Sequence, residues 1–123
     1  MTREDAFRIA NDWNAAWNAR DVERVLAHVD NGVSFTSPTA LAVVGMATVN
    51  GKAALREYWG KALSQITGLR FTMDRIVWDE HTRELAIIYQ AEINGHRKMV
   101  SENLVFGSHG LIVRAEVFHG AGI

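Results

Sequence analysis

Cysteine is absent from this 123-residue chain, and proline occurs once, at Pro38. Without thiols, neither disulfide staples nor thiolate chemistry is available, and any metal site would have to be built from His, Asp or Glu. The histidines His28, His81, His96, His109 and His119 are scattered, with no His-x-His or His-x-x-x-His spacing, so neither a metal nor another cofactor is expected. Phosphate-binding loops, Gly-x-Ser-x-Gly elbows and dinucleotide fingerprints are also missing. A formal net charge of -1 and the lack of any Lys/Arg run remove the electrostatic footprint of a nucleic-acid or anionic-membrane binder. No stretch approaches the roughly 18 consecutive apolar residues of a membrane span. The opening Met1-Thr2-Arg3-Glu4-Asp5 leads into no apolar export segment, so a cytoplasmic location is expected.

What is present is the composition of one compact domain spanning residues 1–123, with 48% hydrophobic and 22% charged residues. At this size roughly two thirds of the unfolded chain's surface is buried on folding, enough for a core without staples.

The first half reads as helical. Thr2 followed by Asp5 forms a capping-box pattern, and Ala6, Ile9, Ala10, Trp13 and Trp17 recur at helical spacing to about Asn18. Asp21 is a candidate N-cap for a shorter helix carrying Val22, Val25, Leu26 and Val29, ended by Asn31-Gly32. Val33 to Thr36 reads as a short strand leading into a Pro-locked turn at Ser37-Pro38, and Leu41-Ala42-Val43-Val44 as a second short strand before Gly45. From Gly51, the row Leu55, Trp59, Ala62, Leu63 and Ile66 predicts a third helix, closed by Thr67-Gly68.

After Gly68 the period changes to two. Leu69 to Trp78, Glu84 to Ile93, His96 to Phe106 and Leu111 to His119 alternate as strands of a meander. Asn94-Gly95 suits a two-residue type I′ hairpin, because both positions need positive φ. That turn sets Ile93 opposite His96, Tyr89 opposite Val100 and Ile87 opposite Glu102. A second tight turn at Gly107-Ser108-His109-Gly110 sets Glu102 opposite Ala115 and Lys98 opposite His119. One sheet face then carries Leu85, Ile87, Tyr89, Val100, Glu102, Leu104, Val113, Ala115, Val117 and His119. The other carries Ile88, Met99, Val105, Ile112 and Phe118 among polar residues. Three amphipathic helices cover only one face of a curled sheet, so a homodimer through the second face is expected.

The order of helix, helix, short strand with Ser-Pro, Gly-containing loop, helix and four-stranded meander resembles the nuclear transport factor 2-like superfamily. Within it, the block from Phe35 to Trp59 most resembles SnoaL-like and ketosteroid-isomerase-like proteins. The resemblance implies an α+β fold: a cone-shaped barrel of three N-terminal helices packed on a strongly curved, mainly antiparallel mixed sheet. In ketosteroid isomerases the residue before the Pro is the general-base Asp; here it is Ser37, whose hydroxyl is no base at neutral pH without a partner. The family's oxyanion tyrosine on the first helix matches Trp13, an indole donor without acid character. Its protonated Asp on the third meander strand matches Glu102, and its pocket wall on the final strand matches His119.

The candidate catalytic residues are therefore Glu102 and His119. Glu102 falls among Ile87, Val100 and Leu104, where desolvation raises a carboxyl pKa, and its structural alternative is a buried acid bonded to Arg75, Trp13 or Tyr89. His119 is either an acid/base near neutral pH or a strand-end residue beside Lys98 or open to solvent. With Lys98 opposite His119, the two candidates lie roughly 13 Å apart, able to flank a ligand without sharing a proton. Trp13, Trp17, Tyr58, Trp59 and Tyr89 form either an aromatic wall or plain core, and Ser37 either a ligand hydrogen bond or a strand-ending turn. Two functions stay open. One is cofactor-free isomerisation, dehydration or cyclisation of a small apolar carbonyl compound; the other is a non-catalytic ligand-binding or association module of the same fold.

Overall fold

A computed structural model describes residues 1–122, with elements in the order helix, helix, strand, helix, strand, helix and then four strands. Helix α1 (Arg3–Asn18) opens with the reciprocal capping box of Thr2 and Asp5 and buries Ala6, Ala10, Trp13, Ala16 and Trp17 on one face. Helix α2 (Val22–Leu26) is capped by Asp21, whose side chain accepts the Arg24 N–H. Strand β1 (Val29–Thr36) begins four residues earlier than the sequence pattern indicates. Val29 is buried at helical spacing from Val25 and Leu26, but its backbone pairs with Ile112, and Asn31-Gly32 lies inside an irregular stretch of strand rather than at a helix end. The Asp30 carboxylate accepts the Gly32 N–H there, an Asx turn that accounts for the local break in register.

The largest departure follows Thr36. Leu41 to Val44, expected as a strand, belongs to helix α3 (Pro38–Val44). Ser37 is its N-cap, accepting the Thr39 N–H at 3.2 Å; Pro38 takes the first helical position, where its missing N–H costs nothing; and Gly45, at φ 79°, supplies the left-handed C-terminal residue. Those three signals outweigh the weak strand preference of two adjacent valines. The fold thus has four helices rather than three. The short strand β2 (Thr48–Asn50) follows, then helix α4 (Lys52–Ser64), which buries Leu55, Tyr58 and Trp59.

Strands β3 (Leu69–Asp79), β4 (Glu84–Ile93), β5 (His96–Phe106) and β6 (Ile112–Gly122) form the meander. Asn94 and Gly95 have φ of 52° and 84°, as the type I′ turn demands. The Asn94 side-chain oxygen also accepts from the Thr67 N–H, the Thr67 hydroxyl and the Gly68 N–H, tying the hairpin to the segment after α4. Pairing of β4 with β5 follows the expected register, Ile87 opposite Glu102 and Tyr89 opposite Val100. Pairing of β5 with β6 is offset by two residues: Glu102 faces Val117 rather than Ala115, and His119 faces Val100 rather than Lys98, which pairs with Gly122. Two single-residue shifts add to this offset: the turn is one residue wider than expected, so that Phe106 pairs with Ile112 rather than Leu111, and a bulge between Val105 and Phe106 consumes one more residue of β6 at Val113. The bulge also turns Ile112, expected on the outer face, into the fully buried core.

The six strands form one sheet in the order β2-β1-β6-β5-β4-β3, antiparallel except where β1 runs parallel to β6. The concave side holds the core. There Trp17 packs edge-on against Trp59 at 5.0 Å between ring centroids, Trp13 against Trp59 at 6.0 Å, and Phe35 against Trp59 at 5.4 Å. Each such pair adds about 0.5–1.5 kcal/mol beyond area burial. The convex side leaves Val77 55% and Phe118 52% exposed, with Ile88, Met99 and Val105 half-buried beside them. No helix among the described residues is long and apolar enough to cross a membrane.

Leu104 is fully buried at the centre of the meander. Leu104→Ala is expected to cost about 2–5 kcal/mol in denaturant unfolding, because the rigid sheet around it cannot collapse onto the void.

Candidate ligand pocket

Between the concave sheet and helices α3 and α4 lies a cavity of about 110 Å³, well above the ~10–15 Å³ needed to hold a water. It opens into a vestibule of about 760 Å³, and the two share Thr39, Ala62, Ile66, Ala91, Ile93 and Lys98 as walls. The alternation of β4 and β5 decides what faces inward. Tyr89 and Ala91 on one strand, and Lys98, Val100 and Glu102 on the other, all line the inner cavity.

Glu102 is the pocket's only carboxylate and, with Ser37, one of two buried polar or charged residues of the described chain. Its surroundings are mostly hydrocarbon, and burial pushes its pKa up to about 7 against the opposing pull of Tyr89 and Trp13. The Tyr89 hydroxyl donates to Glu102 Oε1 at 3.1 Å. Burial and the adjacent carboxylate push the Tyr89 pKa well above its ordinary value, so that hydroxyl keeps its proton throughout the physiological range. Trp13 Nε1 is buried with no partner inside hydrogen-bonding limits, yet lies near enough to Glu102 to favour the ionised form. The alternative pairing with Arg75 does not occur: Arg75 is exposed and bonded to Asp74.

His119 is half-buried on the pocket wall and lies two residues along the sheet from Glu102, half the separation expected from sequence, because of the β6 offset. Lys98 Nζ lies 2.9 Å from His119 Nδ1. An ammonium only donates, so Nδ1 is the acceptor and the imidazole proton sits on Nε2. Burial and the Lys98 charge both lower the His119 pKa, favouring this neutral tautomer. Tyr58 also lines the cavity, its pKa pushed up to about 12, chiefly by burial.

Of the residues singled out from sequence, Glu102, His119, Trp17, Ser37, Tyr58, Trp59 and Tyr89 all border the cavity. Trp13 does not; it sits behind the wall in the aromatic core. Ser37 is committed to capping α3, the strand-ending role weighed beside ligand contact. Lys98 and Thr39 are wall residues beyond those singled out from sequence. Lys98 shares the period-two row of Val100 and Glu102, which was sufficient to place it inward, whereas Thr39 was hidden by the unrecognised α3.

The SnoaL-like domain family matches residues 10–110, and the chain belongs to that family. No functionally curated protein matches it significantly. A SnoaL-like protein of unknown function from Burkholderia thailandensis is 26% identical, with a TM-score of 0.88 over 98% of both chains. A Kribbella flavida protein provisionally named a ketosteroid isomerase shares 17% identity and a TM-score of 0.75, over 98% of this chain and 81% of that one. TerC, co-crystallised with polyporic acid, shares 16% identity and a TM-score of 0.77 over 94% and 91%. The last two likenesses establish the fold alone.

Because the Glu102 pKa is raised from 4.5 to about 7, the folded state holds its proton more tightly than the unfolded state does. The stability this confers is complete below about pH 4.5 and is lost as pH rises through about 7, a change of about 3 kcal/mol. Glu102→Gln lacks this dependence. Its melting temperature is therefore expected to match wild type near pH 5 and to exceed it by several degrees at pH 8; equal differences at both pH values would place the carboxyl in contact with solvent.

Proposed function

We propose that this protein encloses a small apolar carbonyl compound and moves a proton on it without a cofactor. The observation that carries this reading is a carboxyl group bordering the inner cavity with a pKa of about 7, where acid and base forms coexist near neutrality. Ionised Glu102 takes a proton from the carbon next to the carbonyl, leaving an enolate and a protonated Glu102. Where the substrate carries a β,γ double bond, that enolate is a dienolate, and the same carboxyl returns the proton at the γ-carbon as the double bond shifts into conjugation, an isomerisation with no net oxidant or reductant. Tyr89 holds Glu102 through its hydroxyl, and the hydroxyl of Tyr58 is a cavity donor suited to an enolate oxygen. This route differs from one in which the residue before Pro38 is the base, since Ser37 has no acidic side chain and is engaged as a helix cap.

That same commitment of Ser37 favours a second reading, a ligand-binding module of this fold with no turnover. The convex face, with Phe118 and Val77 exposed beside Ile88, Met99 and Val105, suits a homodimer in either case.

The two readings separate on exchange chemistry. A panel of cyclic ketones incubated in D2O and followed by proton NMR is expected to show deuterium uptake at the α-carbon with the wild-type protein, rising with pH through about 7. Glu102→Gln is expected to slow it by about 10²–10⁴-fold. Ketones that bind without exchange in the wild type would select the binding module. Sedimentation at micromolar concentration is expected to give a dimer, and Phe118→Lys a monomer; a monomeric wild type would remove the proposed interface.

A further inference from the structure

The pocket has two chemically different ends. Its inner end is Glu102; its outer end, where cavity and vestibule meet, is Lys98. Four residues of β5 separate them, roughly 13 Å at ~3.4 Å per residue, and the inward side chain between them is Val100.

Among the described residues, the charged side chains bordering the outer end, Lys98 and Arg97, are basic. Lys98 spends one N–H on His119 Nδ1, and its other two are not matched by any Asp or Glu of the described residues within ion-pair reach. Because Nδ1 accepts from Lys98, His119 offers only a donor, its Nε2–H, to whatever shares the cavity. Arg97 and His96 border the vestibule, and no Asp or Glu of the described residues does. An ammonium beside a largely apolar chamber, without an acidic side chain of its own, calls for an anion from the ligand.

Building on the pocket reading above, we propose that the ligand is an apolar acid, its hydrocarbon body in the inner cavity and its anionic head group held at the mouth by Lys98 Nζ. His119 Nε2–H, oriented by Lys98, is the second donor in reach of that group. A neutral compound of the same shape leaves the ammonium facing hydrocarbon and loses affinity. The head group also fixes polarity: the acid end stays outward, and the opposite end of the molecule is the one delivered to Glu102.

The test uses two fluorophores with a common body, anilinonaphthalenesulfonate, which is anionic, and N-phenylnaphthylamine, which is neutral. Wild-type protein is expected to bind the sulfonate at least about tenfold more tightly, and Lys98→Met and Lys98→Gln to abolish that preference while keeping the neutral probe's affinity. Ala62→Trp, which fills the channel between cavity and vestibule, is expected to bind neither. Equal affinity of wild type for the two probes would overturn the proposal, as would equal loss of both probes in the Lys98 variants, which would make Lys98 a structural residue. Sulfonate preference persisting in Ala62→Trp would place the recognition elsewhere and overturn it too. Failure of wild type to bind even the neutral probe would instead remove the pocket reading on which the proposal rests.

Discussion

A carboxyl group held inside hydrocarbon is the constraint around which the rest of this molecule is arranged. Moving Glu102 out of water disfavours its charged form, and the protein offsets this only in part, with one Tyr89 hydrogen bond and a nearby indole. A carboxylate fully compensated by several donors would be inert, with a pKa far below neutrality, and an uncompensated one would remain protonated. The partial compensation holds Glu102 between these limits. The surrounding architecture serves that balance: α1 and α4 bring tryptophans over the concave sheet to exclude water, and the β4–β5 register puts the Tyr89 hydroxyl within reach.

How much of this was legible depended on whether the signals were local. The Asn94-Gly95 turn fixed one register from two residues, and period-two alternation then put Tyr89, Val100 and Glu102 on the inner face without any knowledge of the fold. The capping box at Thr2 and Asp5 likewise declared the first helix. The β5–β6 offset was not legible in the same way, because a bulge inserts a residue without altering composition, and Gly107 to Gly110 fit both a tighter and a wider turn. The offset is even, so the sidedness of β6 beyond the bulge survived while the distance from His119 to Glu102 halved.

The segment from Ser37 to Gly45 shows a different limit. Its helix is set by three residues at its ends, a cap, a proline and a left-handed glycine, while the intervening Leu-Ala-Val-Val carries no helical period of its own. Patterns of hydrophobicity cannot reveal so short an element, and Thr39 stayed hidden with it. Trp13 illustrates the converse: position and type suggested a pocket residue, but aromatic side chains fill core and cavity wall alike, and only three-dimensional packing against Trp59 and Trp17 separates the two roles.

The strand order carries a consequence for how the chain reaches its native state. β6 lies between β1 and β5, so the pair β2–β1, from the first half of the sequence, and the meander strands β3–β4–β5 touch one another in the sheet only through β6. Joining them closes a loop of some eighty residues between Val29 and Ile112. Topology of this kind slows folding and exposes pairing-competent backbone to neighbours in the interval. The sixth strand is therefore the keystone of the sheet: any partly folded form that lacks it exposes two pairing-competent edges at once, those of β1 and β5.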